Sequence, residues 1–217
     1  MTQLKLIYYV DVLSSWCFVA EPALARLREE LGERLDYEWR IAYLFGGGPM
    51  GYSAQLSAWQ YERNKSVSGF TLNPAWRETL EDTTWFADLA AEAARALGIT
   101  DDRVRLALTR AAFVDAKHIG RRDEAVRVAA EAGGLTASAL ESAMDDAAVI
   151  ERMQATTAEY KALGVKVLPA FVMTNAIGDT AILSGLFRYE TMASCAAEML
   201  AAADGYAAFE RAHPQPA

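Results

Sequence analysis

Residues 4–10, Leu-Lys-Leu-Ile-Tyr-Tyr-Val, are mostly apolar and aromatic and free of Gly and Pro, the pattern of a buried strand. Asp11-Val12-Leu13-Ser14-Ser15 breaks the run and brings hydroxyl and carboxylate groups that can cap a helix. From Trp16 to Leu31 apolar positions recur at helical spacing through Val19, Ala23, Leu24 and Leu27, and Gly32 closes the segment. Pro22 is the discordant residue, to be tolerated or to kink that helix. Residues 35–44 read as a second strand, which completes the start of a βαβ unit and runs into a glycine-rich loop, 45–51.

The period then changes. Residues 53–163 read as helices: a long one opening at Pro74 with Trp76, Leu80, Trp85, Leu89 and Ala93 on one face, then 101–117, 122–132, 136–144 and 147–163. Strand chemistry returns at 170–174 and 180–184, joined as a hairpin, before a helix over 189–203 and a tail from His213. The pattern is β-α-β, a helical block, then β-β-α. Without the block it is close to a thioredoxin core, so we expect an α/β thioredoxin-like domain formed by 1–52 and 164–217, with an all-helical insertion over 53–163.

Composition narrows the function. Hydrophobic residues make up 53% of the 217 residues, enough for a large core, and 21 basic against 29 acidic residues give a formal charge of −8. That balance disfavours nucleic acid and anionic membrane surfaces as partners. The longest apolar stretches fall short of a membrane span, and the chain starts without a leader pattern. Two cysteines, Cys17 and Cys195, exclude a disulfide scaffold and fit a cytoplasmic protein. Two histidines, without clustered cysteines, argue against zinc, and Gly46-Gly47-Gly48 lacks the lysine of a phosphate loop. His118 reads as a helix-end or surface residue and Cys195 as core.

The candidate chemistry sits where the first strand hands over to the first helix. Unpaired N–H groups and the helix dipole stabilise an anion there, which is why a redox-active thiol at such a turn is acidic. Here Ser14 stands at that place and Cys17 lies one helical turn in. Serine forms no disulfide, so a two-cysteine redox cycle at this turn is chemically excluded. A hydroxyl can instead donate a hydrogen bond to a thiolate carried by another molecule. Read alone, Ser14 is an N-cap and Cys17 a small buried hydrophobe. Pro169, at the entry to a strand, adds a special turn, cis in some such cases.

The segment 11–18, Asp-Val-Leu-Ser-Ser-Trp-Cys-Phe, resembles the first turn of the DsbA superfamily. It is similar to the branch holding FrnE-like oxidoreductases, kappa-class glutathione transferases and 2-hydroxychromene-2-carboxylate isomerases. It mixes the Ser of the last two groups with the Trp-Cys of the first, and Ser15 replaces the usual proline. Residues 40–50, 122–135, 164–171 and 182–192 extend the resemblance over most of the chain. It implies glutathione as the thiol, with Ser14 activating its sulfur, Ser15 and Trp16 beside it, and Leu168 before Pro169 offering backbone to the cysteinyl part. It also implies an apolar small molecule as second substrate, and a homodimer. Tyr52, Trp59, Tyr61, Trp76, Trp85 and Phe113 read as mostly core, with a few of them lining a cleft between the helical block and the thioredoxin core where such a substrate would sit. One departure is plain: Leu186-Phe187 follow Gly185 where kappa enzymes carry Ser-Asp to grip the glutamyl end of glutathione. Two alternatives therefore stand beside this reading. One is thiol–disulfide exchange through Cys17; the other is a non-catalytic binding module.

Overall fold

A computed structural model describes residues 3–79 and 82–214. Strands β1 (Leu4–Val10), β2 (Leu35–Ile41), β3 (Ala170–Thr174) and β4 (Thr180–Ser184) form one sheet in the order β2-β1-β3-β4. β1 runs parallel to β2 and antiparallel to β3, and β3 pairs antiparallel with β4. The apolar run of β1 has its reason here: it is central, and Leu4, Leu6, Tyr8 and Val10 are all buried. Tyr8 stacks on Phe171 of β3, ring centroids 5.0 Å apart.

Helix α1 (Ser15–Leu31) crosses from β1 to β2, and Ser14 caps it by accepting the Cys17 N–H. Pro22 lies inside this helix without ending it. The insertion follows as α2 (Ala54–Ser68), α3 (Trp85–Ala96), α4 (Arg103–Phe113), α5 (Arg122–Gly133), α6 (Ala137–Met144) and α7 (Ala147–Ala162). The chain closes with α8 (Tyr189–Ala212) packed on α1 and β1. This is a mixed α/β thioredoxin-like fold with a helical insertion.

Three boundaries differ from expectation. The helix expected from Pro74 is a single 3₁₀ stretch, Pro74–Thr79, and α3 starts only at Trp85. Leu80 lies outside the described residues. The helix expected over 101–117 ends at Phe113, because Ala116 turns the chain with φ +51°. The last helix runs nine residues past the expected Ala203, and the expected tail keeps only His213 and Pro214 within the described residues. The 175–179 hairpin loop is held by Asn175: its Oδ1 accepts from Ile177 and Asp179, and its Nδ2 donates to the Met199 carbonyl.

A buried ionic cluster fastens α4 to α1. Arg105, fully buried, reaches both carboxylate oxygens of Glu21 and donates to Asp102 Oδ1 at 2.9 Å. Arg28 and Tyr37 also contact Asp102, and Tyr8 donates to Glu21 at 3.0 Å.

Candidate active site

The β1–α1 turn, the β2–α2 loop, α2 and the loop before β3 enclose a cavity of about 270 Å³. Leu13, Ser14, Ser15 and Trp16 form one wall, and Val167 and Leu168 form another. The Leu168–Pro169 peptide is cis. The folded chain thus brings Ser14, Ser15 and Trp16 into one cavity with Leu168, which lies 154 residues beyond Ser14 in sequence.

 Pro169, expected beside Leu168 at the site, is buried and absent from the cavity lining.

The remaining walls were only partly expected. Of the aromatic residues proposed for a cleft, Tyr52 and Trp76 line it, joined by Phe45, Leu44 and Met50. Tyr61, Trp85 and Phe113 pack elsewhere: Tyr61 donates to the Leu72 carbonyl, Trp85 meets Tyr43 edge-on, and Phe113 stacks on Phe18. Trp59 lies outside the lining, over the Arg63 guanidinium. Phe45 holds a left-handed backbone, φ +52°, with its ring edge-on to Tyr52. Gly47 in the same loop, φ +80°, leaves room for nothing larger, since a Cβ there would sit 2.7 Å from the Trp85 ring.

Helix α2 supplies polar groups that no sequence motif announced. Asn64 Nδ2 donates to Ser15 Oγ at 2.9 Å, and Arg63 stacks over Trp16 at 4.7 Å. Arg63 and Lys166 line the cavity and, among the described residues, no acidic side chain does, so its lining is cationic on an anionic protein. The Trp76 indole N–H is buried with no acceptor among the described residues.

Ser14 is nearly buried; its oxygen accepts the Cys17 N–H at 3.4 Å, and its hydroxyl also hydrogen-bonds the Cys17 side chain, which offsets part of the effect of burial on that thiol. Cys17 faces the core, 1% exposed, and burial pushes its thiol up to about 12. It is protonated at neutral pH and absent from the cavity lining. Cys17 and Cys195 are both free thiols, Cys195 half-buried with its sulfur 4.0 Å from that of Met199. His118 does not end a helix; its Nδ1 pairs with Asp82 at 2.7 Å. Among the described residues no cluster of His, Cys, Asp and Glu is arranged to hold a metal ion.

Two buried acids complete the surroundings. Asp11 and Asp88 lie under the turn, and burial raises both carboxyls above their ordinary range. Asp11 is legible as the one polar residue ending an apolar strand; Asp88 carried no signal, because its burial depends on how α3 docks.

No curated protein matches the chain. Solved structures do. Cytosolic disulfide reductase DsbM from Pseudomonas aeruginosa is 24% identical, with a TM-score of 0.64 over 83% of this chain and 89% of that one. The same protein solved with GSH aligns at 21% identity and a TM-score of 0.67, with the same coverage. A thioredoxin-like oxidoreductase from Silicibacter pomeroyi is 16% identical, with a TM-score of 0.56 over 87% of this chain and 82% of that one. Among the described residues no helix is long and apolar enough to cross a membrane. A family model, that of the DSBA-like thioredoxin domain, matches residues 5–196, and the chain belongs to that family.

Proposed function

We propose that this protein is a glutathione-dependent transferase or isomerase of an apolar small molecule, as in the kappa-class and isomerase branch, with Ser14 holding the glutathione sulfur as a thiolate. The observation that carries the reading is the position of Ser14: its hydroxyl caps α1 and lines the cavity, where its proton can turn from the Cys17 side chain to a ligand thiolate. A sulfur anion there gains the α1 N-terminus and one O–H donor. Leu168 lies in the facing wall, ready to pair its backbone with the cysteinyl part. The family's Ser-Asp grip is replaced by Leu186 and Phe187, which pack against the core. Arg63 and Lys166 offer positive charge to the carboxylates of glutathione instead. A DsbM structure with GSH supports the same ligand at family level.

The thiolate attacks an electrophilic carbon seated against Phe45, Met50, Tyr52 and Trp76. A C–S bond forms from the sulfur lone pair. In a transfer, the leaving group departs with its bonding pair; in an isomerisation, the same C–S bond later breaks and returns the pair to sulfur. The reading assigns 1–52 and 164–217 to the thioredoxin-like part and 53–163 to the insertion, with the cavity at their junction, and a cytoplasmic setting where glutathione is abundant. Thiol exchange through Cys17 needs a thiolate that burial suppresses.

Calorimetry with glutathione tests this. Wild type binds, and Ser14→Ala, which also loses a cap contributing about 0.5–2 kcal/mol of stability, binds at least about ten-fold more weakly while still folded. Unchanged affinity in a folded Ser14→Ala protein removes Ser14 from the role.

A further inference from the structure

The two buried acids do more than fill space. Asp11 uses both carboxylate oxygens as acceptors, Oδ1 for the Leu13 N–H and Oδ2 for the Leu44 N–H, each at 2.7 Å. Its backbone carbonyl accepts the Ser14 N–H at 3.0 Å. One residue therefore ties the Ser14 turn to the opposite wall of the cavity, since Leu13, Ser14 and Leu44 all line it. Asp88, in the first turn of α3, accepts the Val12 N–H at 2.9 Å through Oδ1.

Of the four oxygens, three face N–H donors and have no room for a proton on that side. Asp88 Oδ2 is buried and has no hydrogen-bond partner among the described residues. The proton of the pair belongs on it, donated towards Asp11. The direction of the mutual effect agrees: the contact lowers Asp11 and raises Asp88. The other groups facing the pair are the Ser14 N–H and the Cys17 thiol on α1, the Leu44 N–H on the loop after β2, and Glu92 one turn along α3. Glu92 is itself paired with Arg152 and Arg95.

We propose that Asp11 and Asp88 are positioning residues for the ligand cavity, a carboxyl pair sharing one proton that holds the Ser14 turn against the Leu44 wall, so that the cavity keeps its shape only while the pair keeps its proton. A folded-state pKa raised above the unfolded one gives stability that is present at low pH and lost as pH rises through the folded value. Loss of the proton leaves two buried carboxylates in contact, and α3 and the turn relax apart. Ser14's task in this scheme rests on the function proposed above; the state of the pair does not.

The test reads amide hydrogen exchange at Leu13 and Leu44 in the ligand-free chain between about pH 5 and about pH 9, corrected for intrinsic rates, with glutathione calorimetry in parallel. In wild type both amides lose protection together as pH rises. Asp88→Asn supplies an acceptor for Val12 and a permanent donor for Asp11, so it keeps protection and flattens the profile. Asp11→Asn sets an NH₂ against an amide N–H and lowers protection about ten-fold or more at every pH. A flat wild-type profile, or an Asp88→Asn protein as damaged as Asp11→Asn, overturns the proposal. If Asp11→Asn fails to fold, the other two profiles decide. Absence of glutathione binding in wild type overturns the proposed function, while the exchange profiles still judge the pair.

Discussion

Replacing Arg105 with alanine should cost far more than losing a surface ion pair, and the structure gives the scale. Arg105 is fully buried and serves both oxygens of Glu21 and one of Asp102. Removing one member of a buried pair strands its partners without a counter-charge, at a cost of about 3–5 kcal/mol. Arg28 still reaches Asp102, so the stranded charge is chiefly that of Glu21, and the lower half of that range is expected. For a chain of this size each kcal/mol moves the midpoint by about 2–4 °C, so Tm should fall by roughly 6–16 °C. Urea unfolding followed by circular dichroism measures the change directly.

The sign with pH is also set. Despite burial, Arg105 and Arg28 hold the Asp102 carboxyl below its ordinary value. A depressed carboxyl contributes stability above the unfolded pKa, about 3.9, and loses it as pH falls through the folded value. Without Arg105 that contribution shrinks, so the gap between wild type and variant narrows below about pH 4. Replacing the pair together, Glu21→Leu with Arg105→Met, should recover most of the loss, because an apolar pair has no charge to desolvate. A single-variant cost under about 1 kcal/mol, or a gap that does not change with pH, would refute the reasoning.

Other outcomes follow from the site and its loop. Gly47→Ala should destabilise by about 1–3 kcal/mol, because its Cβ meets the Trp85 ring and its φ is positive; Gly46→Ala, where nothing lies near, should cost less in the same urea titration. An alkylating reagent at pH 8, about the ordinary thiol pKa, should label Cys195 first and Cys17 only on unfolding, as peptide mapping would reveal. Arg63→Ala should weaken glutathione binding, and added salt should weaken the wild-type interaction more than the variant's.

The architecture was readable because its signals are local. The apolar run 4–10, the helical period of 16–31 and the two short strands near the end each announce one element, and their order around a helical block specifies the topology. Ser14 and Pro169 were readable for a similar reason, since each breaks a local rule where an element begins. What escaped was decided by distant packing. Pro74 marks a true helical start, yet the stretch after it is 3₁₀ and breaks before Trp85, whose ring lies against Gly47 and Tyr43. Arg63 and Asn64 look like ordinary exposed helix residues, and only the approach of α2 to the Ser15 turn gives them a role. Tyr52 and Trp76 could not be told from Trp85 and Phe113 as cavity residues, because an aromatic side chain reads the same whether its neighbour is solvent, ligand or core.

Helix α2 differs from its neighbours in how little of it is buried. Within its span only Ser57 and Asn64 are buried, both polar, whereas α3 buries most of its length. Apolar burial is what makes an element cooperate with the rest of the chain, so α2 belongs to the low end of the local stability range. Its grip on the site is then a separate equilibrium from global unfolding. A ligand that needs Arg63 in place binds only the fraction of molecules with α2 docked, and its apparent dissociation constant is the intrinsic one divided by that fraction. Substitutions on the outer side of α2, far from the cavity, would therefore change affinity without changing the chemistry proposed for Ser14.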